Sequence, residues 1–142
     1  MVQLVRVMDT LPEGFAALRA AADAEGFRAM DRLEAEWAQT PELFACLLAA
    51  PGPGRLLAIG GLTPEPEPAD GPALRLRRLY VHPEARRAGV GRALANALLQ
   101  EALDSVALVT VNAADTLSEE FWIGLGFRRV AGRPWTHAFR PA

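Results

Sequence analysis

The sequence predicts a mixed α/β fold, in which a mostly antiparallel sheet with a central parallel strand pair is flanked by helices. Two observations carry this prediction. Short apolar segments on either side of a Pro-Gly turn in the first half of the chain favour an antiparallel hairpin. Residues 74–103 then read as a strand, a tight loop and an amphipathic helix, and another apolar strand follows. The two strands of this βαβ unit should be parallel and joined by a right-handed crossover.

Composition and charge narrow the class of protein. The chain has 142 residues, of which 51% are hydrophobic and 23% charged, so we expect one domain over 1–142. A net charge of −2 argues against a general nucleic-acid binder. The single cysteine, Cys46, lies in an apolar run and is interpreted as a core residue. No secretory pattern or apolar run of membrane-spanning length is present, so we expect a cytoplasmic protein without a membrane partner.

The first half of the chain predicts one strand, two helices and a hairpin. A strand covers residues 2–8, and Thr10 with Glu13 forms a capping box for a helix whose core positions are Phe15, Leu18 and Ala22. A second helix begins near Phe27, carries Met30, Leu33 and Trp37 on its apolar stripe, and ends at Thr40-Pro41. Strands at 44–49 and 55–62 form the hairpin, and residues 63–72 form a mobile, acidic, proline-rich loop.

The second half predicts the parallel pair and a final hairpin. The central strand covers 74–81 and stops at His82-Pro83. The helix after it buries Val90, Leu94, Leu98 and Ala102. A strand at 106–111, a helix starting near Asp115 or Thr116 and ending at Gly124, and strands at 127–131 and 136–140 complete the chain.

A break in the hydrophobic alternation marks the central strand. Leu74 and Leu76 share one face, whereas Leu79 and Val81 fall on the other if pairing is regular. One extra residue at Arg77-Arg78, a β-bulge, would return all four to one side and leave backbone donors free for a ligand. The alternative is a strand whose apolar residues face two cores.

The loop before the main helix has the chemistry of an anion site. Gly89 and Gly91 let the backbone approach a ligand closely, and the helix that starts there presents unpaired N–H groups and the positive end of its dipole. Arg86, Arg87 and Arg92 surround those donors, so the loop should hold a phosphate or pyrophosphate. The alternative is an ordinary strand-to-helix turn with surface arginines. A general nucleotide-binding protein is disfavoured, because a P-loop Lys-Ser/Thr and a full G-x-G-x-x-G are both missing.

Two motifs carry a resemblance to a known family. Leu79-Tyr80-Val81-His82-Pro83, followed by Arg86-Arg87-Ala88-Gly89-Val90-Gly91, resembles the acetyl-CoA motif of the GNAT acyltransferases, R/Q-x-x-G-x-G/A after an L-x-V-x-P strand. Residues 121–127, FWIGLGF, are similar to the second signature of that superfamily, an aromatic residue four positions before Gly-Phe. The resemblance implies the GNAT acyl-CoA N-acyltransferase fold, in which the parallel strands splay apart and the pantetheine arm lies between them.

The resemblance also implies roles for individual residues. It makes the protein an acetyl-CoA-dependent N-acetyltransferase acting on a primary amine of a small molecule or peptide. Backbone groups of Leu79 and Val81 would pair with the pantetheine arm, and the Val81 N–H would polarise the thioester carbonyl. The remaining donor-binding residues are Tyr80, Arg86, Arg87, Ala88, Gly89, Val90, Gly91 and Arg92, with Asn112 on a pantetheine amide and Phe121 and Trp122 at the thiol end.

The match weakens at the residues that transfer protons. Many relatives have tyrosine, as a general acid, where this chain has Trp122, and asparagine where it has Asp115; Arg75 stands near the position of a glutamate base in some relatives. Tyr80, the only tyrosine, is a candidate hydrogen-bond or proton donor, with a packing role as the alternative. Base candidates are Glu34, Glu36 and His137, unless the proton leaves through water. These departures keep a non-catalytic acyl-CoA-binding module open as an alternative.

Arginines on the central strand suggest a hypothesis for the acceptor. Arg75, with Arg77 or Arg78, would line the acceptor side of the bulged strand and favour an amine that carries a carboxylate or phosphate. The helix at 27–37, with Trp37, would form the opposite wall. The alternative is a solvated arginine face. No metal ligand is assigned, and the resemblance allows a homodimer.

Overall fold

Seven strands in one sheet and four helices make up the protein, as described by a computed structural model over residues 2–114 and 116–142. The sheet order is β1-β2-β3-β4-β5-β7-β6. The strands are β1 Val5–Arg6, β2 Cys46–Gly52, β3 Arg55–Pro64, β4 Leu74–Val81, β5 Val109–Val111, β6 Arg128–Arg129 and β7 His137–Phe139. The helices are α1 Phe15–Ala24, α2 Ala29–Gln39, α3 Val90–Leu103 and α4 Thr116–Gly124.

The order of strands and helices predicted from the sequence is confirmed. Neighbouring strands pair antiparallel throughout, except β4 and β5, which pair in parallel through the α3 crossover. The mixed sheet with one central parallel pair therefore stands as predicted. None of the described helices combines the length and the apolar character needed to cross a bilayer.

Two hydrophobic cores lie on opposite faces of the sheet. One is built around α3 and includes Leu94 and Leu98, together with Trp122 and Phe127 from the end of the chain. The other joins α1 and α2 to the sheet through residues such as Leu18 and Leu33. The apolar spacing of each helix puts its buried stripe on the sheet, which is the reason these segments fold as helices here. Cys46 is buried in the α3 core, as expected.

The β-bulge predicted in β4 is present. Arg77 pairs with Gly61 and Tyr80 with Ile59, so two residues of β4 oppose the single residue Gly60 of β3. Arg78, inside the bulge, has φ +59°, a left-handed conformation that is costly for a residue with a side chain. After the bulge the apolar side chains return to phase: Leu74, Leu76, Leu79 and Val81 all pack on the α3 core.

The parallel pair is short and then opens. Leu74 pairs with Val109 and Arg75 with Thr110, and no further residues of β4 and β5 pair within the described chain. β4 continues for six residues beyond that point. The result is a V-shaped gap with the second half of β4 as one edge.

Several element boundaries differ from the sequence prediction. β1 is a two-residue edge strand rather than a strand over 2–8. The predicted capping box does not form: α1 begins at Phe15, behind Gly14 at φ +89°, with no side-chain cap. β5 starts at Val109 instead of residue 106, because the amides of Ser105 and Val106 donate to Ala102 and extend the last turn of α3. Asp115, one of the two predicted helix starts, lies outside the described residues.

The predicted loop at 63–72 is anchored at its start. β3 extends to Pro64, and the Glu65 amide donates to the Ala73 carbonyl at 3.0 Å. The Glu65 side chain is 2% exposed. A proline-rich, acidic composition favours mobility, but here the Glu65 carboxylate is buried in an ion pair with Arg75.

Candidate active site

A cleft of about 1070 Å³ opens where β4 and β5 separate. Its walls are the second half of β4, the connection between α1 and α2, the N-terminus of α3 and one face of α4. Among the described residues that line it, eight are arginines and one, Glu25, is acidic, so the described lining is electropositive in a chain of net charge −2. The predicted site residues on its lining are Arg75, Arg77, Leu79, Tyr80, Val81, Arg86, Arg87, Gly89, Gly91, Arg92, Asn112, Phe121 and Trp122.

The backbone of Val81 faces this cleft. Val81 pairs with Ala58 of β3, and the His82 amide donates to the Leu57 carbonyl at 2.7 Å. That pattern makes Val81 and Ala58 a non-hydrogen-bonded pair, in which the N–H and C=O groups point away from the partner strand. The Val81 N–H therefore points into the gap between β4 and β5. It is a fixed backbone donor beside the floor of the cleft.

The N-terminus of α3 lies next to Val81. A Cβ on Gly91 would come within 3.0 Å of the Val81 Cγ2, so glycine lets the first turn of α3 approach β4 this closely. Gly89, which precedes the helix, has φ +81° and open space around it. The two glycines thus do different work: Gly91 permits close packing, and Gly89 turns the chain so that the unpaired amides of α3 face the cleft.

The arginines of the loop are not equivalent. Arg87 is exposed and has φ +68°, a strained conformation of the kind that functional sites retain. The Arg92 guanidinium donates to the Gly124 carbonyl at 3.3 Å and has no carboxylate partner among the described residues. Arg86 instead binds both carboxylate oxygens of Glu25, at 2.8 and 2.6 Å, and the Val81 carbonyl at 3.2 Å. Arg87 and Arg92 therefore carry the free positive charge at the α3 terminus.

Tyr80 belongs to the same network as Glu25 and Arg86. Its hydroxyl donates to Glu25, its ring stacks on Phe27 with centroids 5.5 Å apart, and the Arg86 guanidinium lies 5.4 Å from the ring centroid. Burial, and then the Glu25 carboxylate, raise the pKa of Tyr80 to about 12. The geometry thus opposes the predicted role of Tyr80 as a proton donor, because its hydroxyl already donates a hydrogen bond to the Glu25 carboxylate. The structure places it as a packing and positioning residue.

Glu25 gives the network a pH dependence. Hydrogen bonds from Arg86 and then Tyr80 lower the pKa of Glu25 from 4.5 to about 2. Between those values the unfolded chain binds a proton that the folded chain does not, so this contribution to stability is lost as pH falls. We expect Glu25→Gln to lose less stability than the wild type between about pH 7 and about pH 3. Urea denaturation midpoints of both proteins at the two pH values measure the difference, and equal losses would contradict the assignment.

The aromatic pair from α4 forms the far wall of the cleft. Phe121 is half-buried and Trp122 is 6% exposed, and their rings meet edge to face with centroids 4.9 Å apart. Asn112 also lines the cleft, but its Oδ1 accepts a hydrogen bond from the Thr136 amide at 3.1 Å. The side chains of Ala88 and Val90 do not line it, and Val90, the first residue of α3, is buried in the core between α3 and the sheet. At these two positions a donor-binding role is left to the backbone.

The arginines of β4 occupy the opposite end of the cleft. Arg75 is 11% exposed and binds both oxygens of Glu65 at 2.9 Å. Arg78 is 13% exposed and binds both oxygens of Glu36 at 2.8 and 2.7 Å. Arg77 lies between them, and its Nε is buried without a hydrogen-bond partner among the described residues. Burial lowers the pKa of Arg77.

The structure corrects the wall predicted from Trp37. Trp37 is 9% exposed, its Nε1 donates to the Asp9 carbonyl at 3.0 Å, and its ring packs on Phe44 in the α1/α2 core, away from the cleft. The wall is formed instead by the connection between α1 and α2, which includes Phe27, and by the start of α2, which includes Arg32. The sequence prediction assigned this wall to the helix at 27–37: the start of that segment does line the cleft, and Trp37 near its end does not.

A family model decides the relationship. The acetyltransferase (GNAT) family model matches residues 11–127, which include the α3 loop and the α4 signature. The chain belongs to the GNAT acetyltransferase family. It is an acetyl-CoA-dependent acyltransferase, so the alternative of a non-catalytic acyl-CoA-binding module is set aside. A comparison with curated protein sequences found no match.

Solved structures of GNAT proteins share this fold. A protein from Exiguobacterium sp. 255-15 described as an acetyltransferase is 28% identical, with a TM-score of 0.85 over 99% of this chain and 93% of that one. A GNAT family acetyltransferase from Brucella melitensis in complex with acetyl-CoA is 15% identical, with a TM-score of 0.73 over 100% and 89%. The ribosomal-protein-alanine N-acetyltransferase of Brucella melitensis is 20% identical, with a TM-score of 0.70 over 98% and 99%.

The base candidates of this GNAT chain are all bound elsewhere. Glu34 pairs with Arg19, and Glu36 is held by Arg78. His137 is 2% exposed, with its ring nitrogens 2.8 Å from the Thr136 Oγ1 and 2.9 Å from a Glu119 oxygen. None of the three lines the cleft. Glu25, the one carboxylate on the described part of the lining, has too low a pKa to accept a proton from an amine near neutral pH.

Proposed function

We propose that this GNAT enzyme transfers the acetyl group of acetyl-CoA to a primary amine of a small molecule or peptide, by direct attack within a ternary complex. The observation that carries the proposal is the cleft itself, which has the unpaired amides of α3 at one end and the unpaired Val81 N–H on its β4 edge. This arrangement offers one site for a pyrophosphate and one for a thioester carbonyl along a single groove. The cytoplasmic location and the one-domain organisation stay predictions.

The donor is proposed to lie along β4. Leu79 lies at the bulge, and Val81 faces the gap between β4 and β5. Their backbone groups can pair with an extended, amide-containing chain, which takes the place of the missing partner strand. Arg87 and Arg92, with the amides that follow Gly89, hold the negative charge of the pyrophosphate. Phe121 and Trp122 exclude water from the far side of the groove. Gly91 lets the first turn of α3 approach β4 closely.

The chemistry assigned to the protein is electrostatic. Acetyl-CoA supplies an activated acetyl thioester. The amine nitrogen forms a bond to the carbonyl carbon, the carbon–sulfur bond breaks, and the thiolate and the amide are the products. During attack, negative charge develops on the carbonyl oxygen, and the Val81 N–H donates to it from a fixed position. The proton released from the amine passes to water, since no base candidate in the described chain is free in the cleft.

Calorimetric titration of acetyl-CoA tests the donor site. We expect wild type to bind in the micromolar range, at about −8 kcal/mol. Gly89→Trp should abolish binding, because a bulky side chain at a left-handed position distorts the loop beside α3. Gly132→Trp is the matched control: Gly132 also has positive φ and open space, but lies outside the cleft. Equal affinity of both variants would refute the assigned site, and no binding by wild type would refute the proposal.

A further inference from the structure

The acceptor end of the cleft holds three strand arginines, of which two are neutralised by the protein. Glu65 binds Arg75 and Glu36 binds Arg78, each through a two-oxygen fork. Arg77 has no carboxylate partner among the described residues, and its buried Nε lacks any acceptor. The paired arginines hold the fold together, and Arg77 is the one whose charge is available to a ligand.

An unpaired and partly desolvated guanidinium is costly to a folded protein. Buried polar groups are normally hydrogen-bonded, and one without a partner often marks a place where a ligand supplies the missing acceptor. Arg77 lines the cleft, on the same strand as the Val81 N–H. An anion in the cleft would supply the missing acceptor, and it would do so only when a ligand is bound.

We infer that the acceptor is a small amino acid, whose carboxylate is bound by Arg77 while its amine faces the thioester. This inference rests on the proposed acetyl transfer. A guanidinium presents donors in a planar fork that matches a carboxylate.

The dimensions of β4 and the nearby wall agree with a small acceptor. Arg77 and Val81 are four positions apart, about 13 Å at the usual strand rise and less across a bulge. The long arginine side chain can cover part of that span. Phe27, 39% exposed on the cleft wall, offers an apolar surface to the acceptor side chain.

The experiment compares each proteinogenic L-amino acid with its carboxamide. Release of the CoA thiol from acetyl-CoA gives the rate for both members of a pair. Calorimetry then measures binding of the N-acetyl amino acid, and of its amide, to the protein saturated with CoA. We expect the carboxylate member to be favoured by about tenfold to hundredfold, as for hydrogen bonds to charged groups.

Variants at Arg77 separate ligand binding from structure. Arg77→Met keeps the aliphatic stem and should remove the preference for the carboxylate, with unchanged affinity for acetyl-CoA and no fall in Tm. Arg77→Lys should keep part of the preference, because the charge stays and the fork is lost. Arg128→Ala, an exposed strand arginine outside the cleft, is the control and should behave as wild type.

The outcomes distinguish this inference from the proposed reaction. Equal rates and affinities for acid and amide, an undiminished preference in Arg77→Met, or no binding of either product to the CoA-saturated protein would overturn the inference. A lower Tm in Arg77→Met would also count against it, because a structural role predicts that loss. A carboxylate-selective binding that depends on Arg77, without thiol release for any amine, would confirm a carboxylate site at Arg77 but refute acetyl transfer, and with it the amino acid as acceptor.

Discussion

Val81→Pro is expected to lower kcat by about 10²–10³-fold, because proline removes the one N–H that faces the developing charge. Backbone donors of this kind act where water is excluded and cost no reorganisation during the reaction. Phe121 and Trp122 place two apolar rings on the far wall. Affinity for acetyl-CoA should fall much less than kcat, since the pyrophosphate site proposed at α3 is untouched.

The fold should accept this proline. Val81 and Ala58 form a non-hydrogen-bonded pair, so no bond of the ladder with β3 is lost. The neighbouring bond from the His82 amide to the Leu57 carbonyl, at 2.7 Å, uses a different N–H. Circular dichroism and calorimetric affinity for CoA verify that the variant is folded before its rate is interpreted.

Val81→Ala is the matched control. It keeps the N–H and removes the methyl groups that face Gly91, so any effect of lost packing appears without the loss of the donor. We expect its kcat to stay near that of wild type. A kcat for Val81→Pro equal to that of Val81→Ala would show that the Val81 N–H does not stabilise the transition state.

The sequence predicted those parts of the molecule that follow from local patterns. β4 has the predicted bounds, α3 begins within the glycine loop where a helix start was predicted, and the bulge lies at Arg77-Arg78, where the alternation slips. Each depends on the spacing of apolar residues along a single segment. Gly89 and Gly91 could be recognised in the sequence because only glycine combines the conformational freedom and the small size that such a loop needs.

The partners of the arginines could not be predicted in this way. Arg86 and Glu25 are 61 residues apart, and Arg78 and Glu36 are 42 apart. Charged side chains have no periodicity that reveals which surface arginine will meet which carboxylate. The sequence therefore assigned Arg86 to the pyrophosphate and Arg75 to the acceptor, whereas both guanidinium groups are held by the protein's own carboxylates.

Trp37 was misplaced for a related reason. Its position on an apolar stripe correctly indicates a helix face that packs on the sheet. The stripe does not tell which part of the sheet it covers, and Trp37 lies over Phe44 instead of the cleft. Whether a residue on this stripe lies in the core or on the cleft wall depends on its position along α2 relative to the cleft. That position is set by how the helix packs on the sheet, which the stripe does not reveal.

Glu65→Ala is expected to lower the free energy of unfolding by about 3–5 kcal/mol, as when one partner of a buried ion pair is removed. The Glu65 carboxylate accepts two hydrogen bonds from Arg75, one from the Thr110 hydroxyl at 2.5 Å and one from the Glu67 amide at 2.8 Å. Its side chain is 2% exposed and Thr110 is fully buried. Without the carboxylate, the Arg75 charge stays buried with no partner.

The position of this carboxylate links stability to the site. Arg75 and Thr110 are the last paired residues of β4 and β5, and one carboxylate binds both side chains. Glu65 therefore fastens the two strands at the point where they begin to separate. We expect Glu65→Ala to raise the KM for acetyl-CoA as well, because β4 and β5 are no longer held at a fixed distance where the gap begins.

Chemical denaturation of three variants tests this account. Asp70→Ala removes an exposed carboxylate from the same loop, where it pairs with Arg133, and should change the free energy of unfolding by no more than about 1 kcal/mol. Glu65→Leu with Arg75→Met replaces the whole pair by apolar side chains and should recover much of the stability lost in Glu65→Ala. A loss in Glu65→Ala no larger than that in Asp70→Ala would mean that the splay is held by the backbone and the cores alone. Recovery in the double variant, with the KM for acetyl-CoA still raised, would instead assign the geometry of the gap to the hydrogen bond with Thr110.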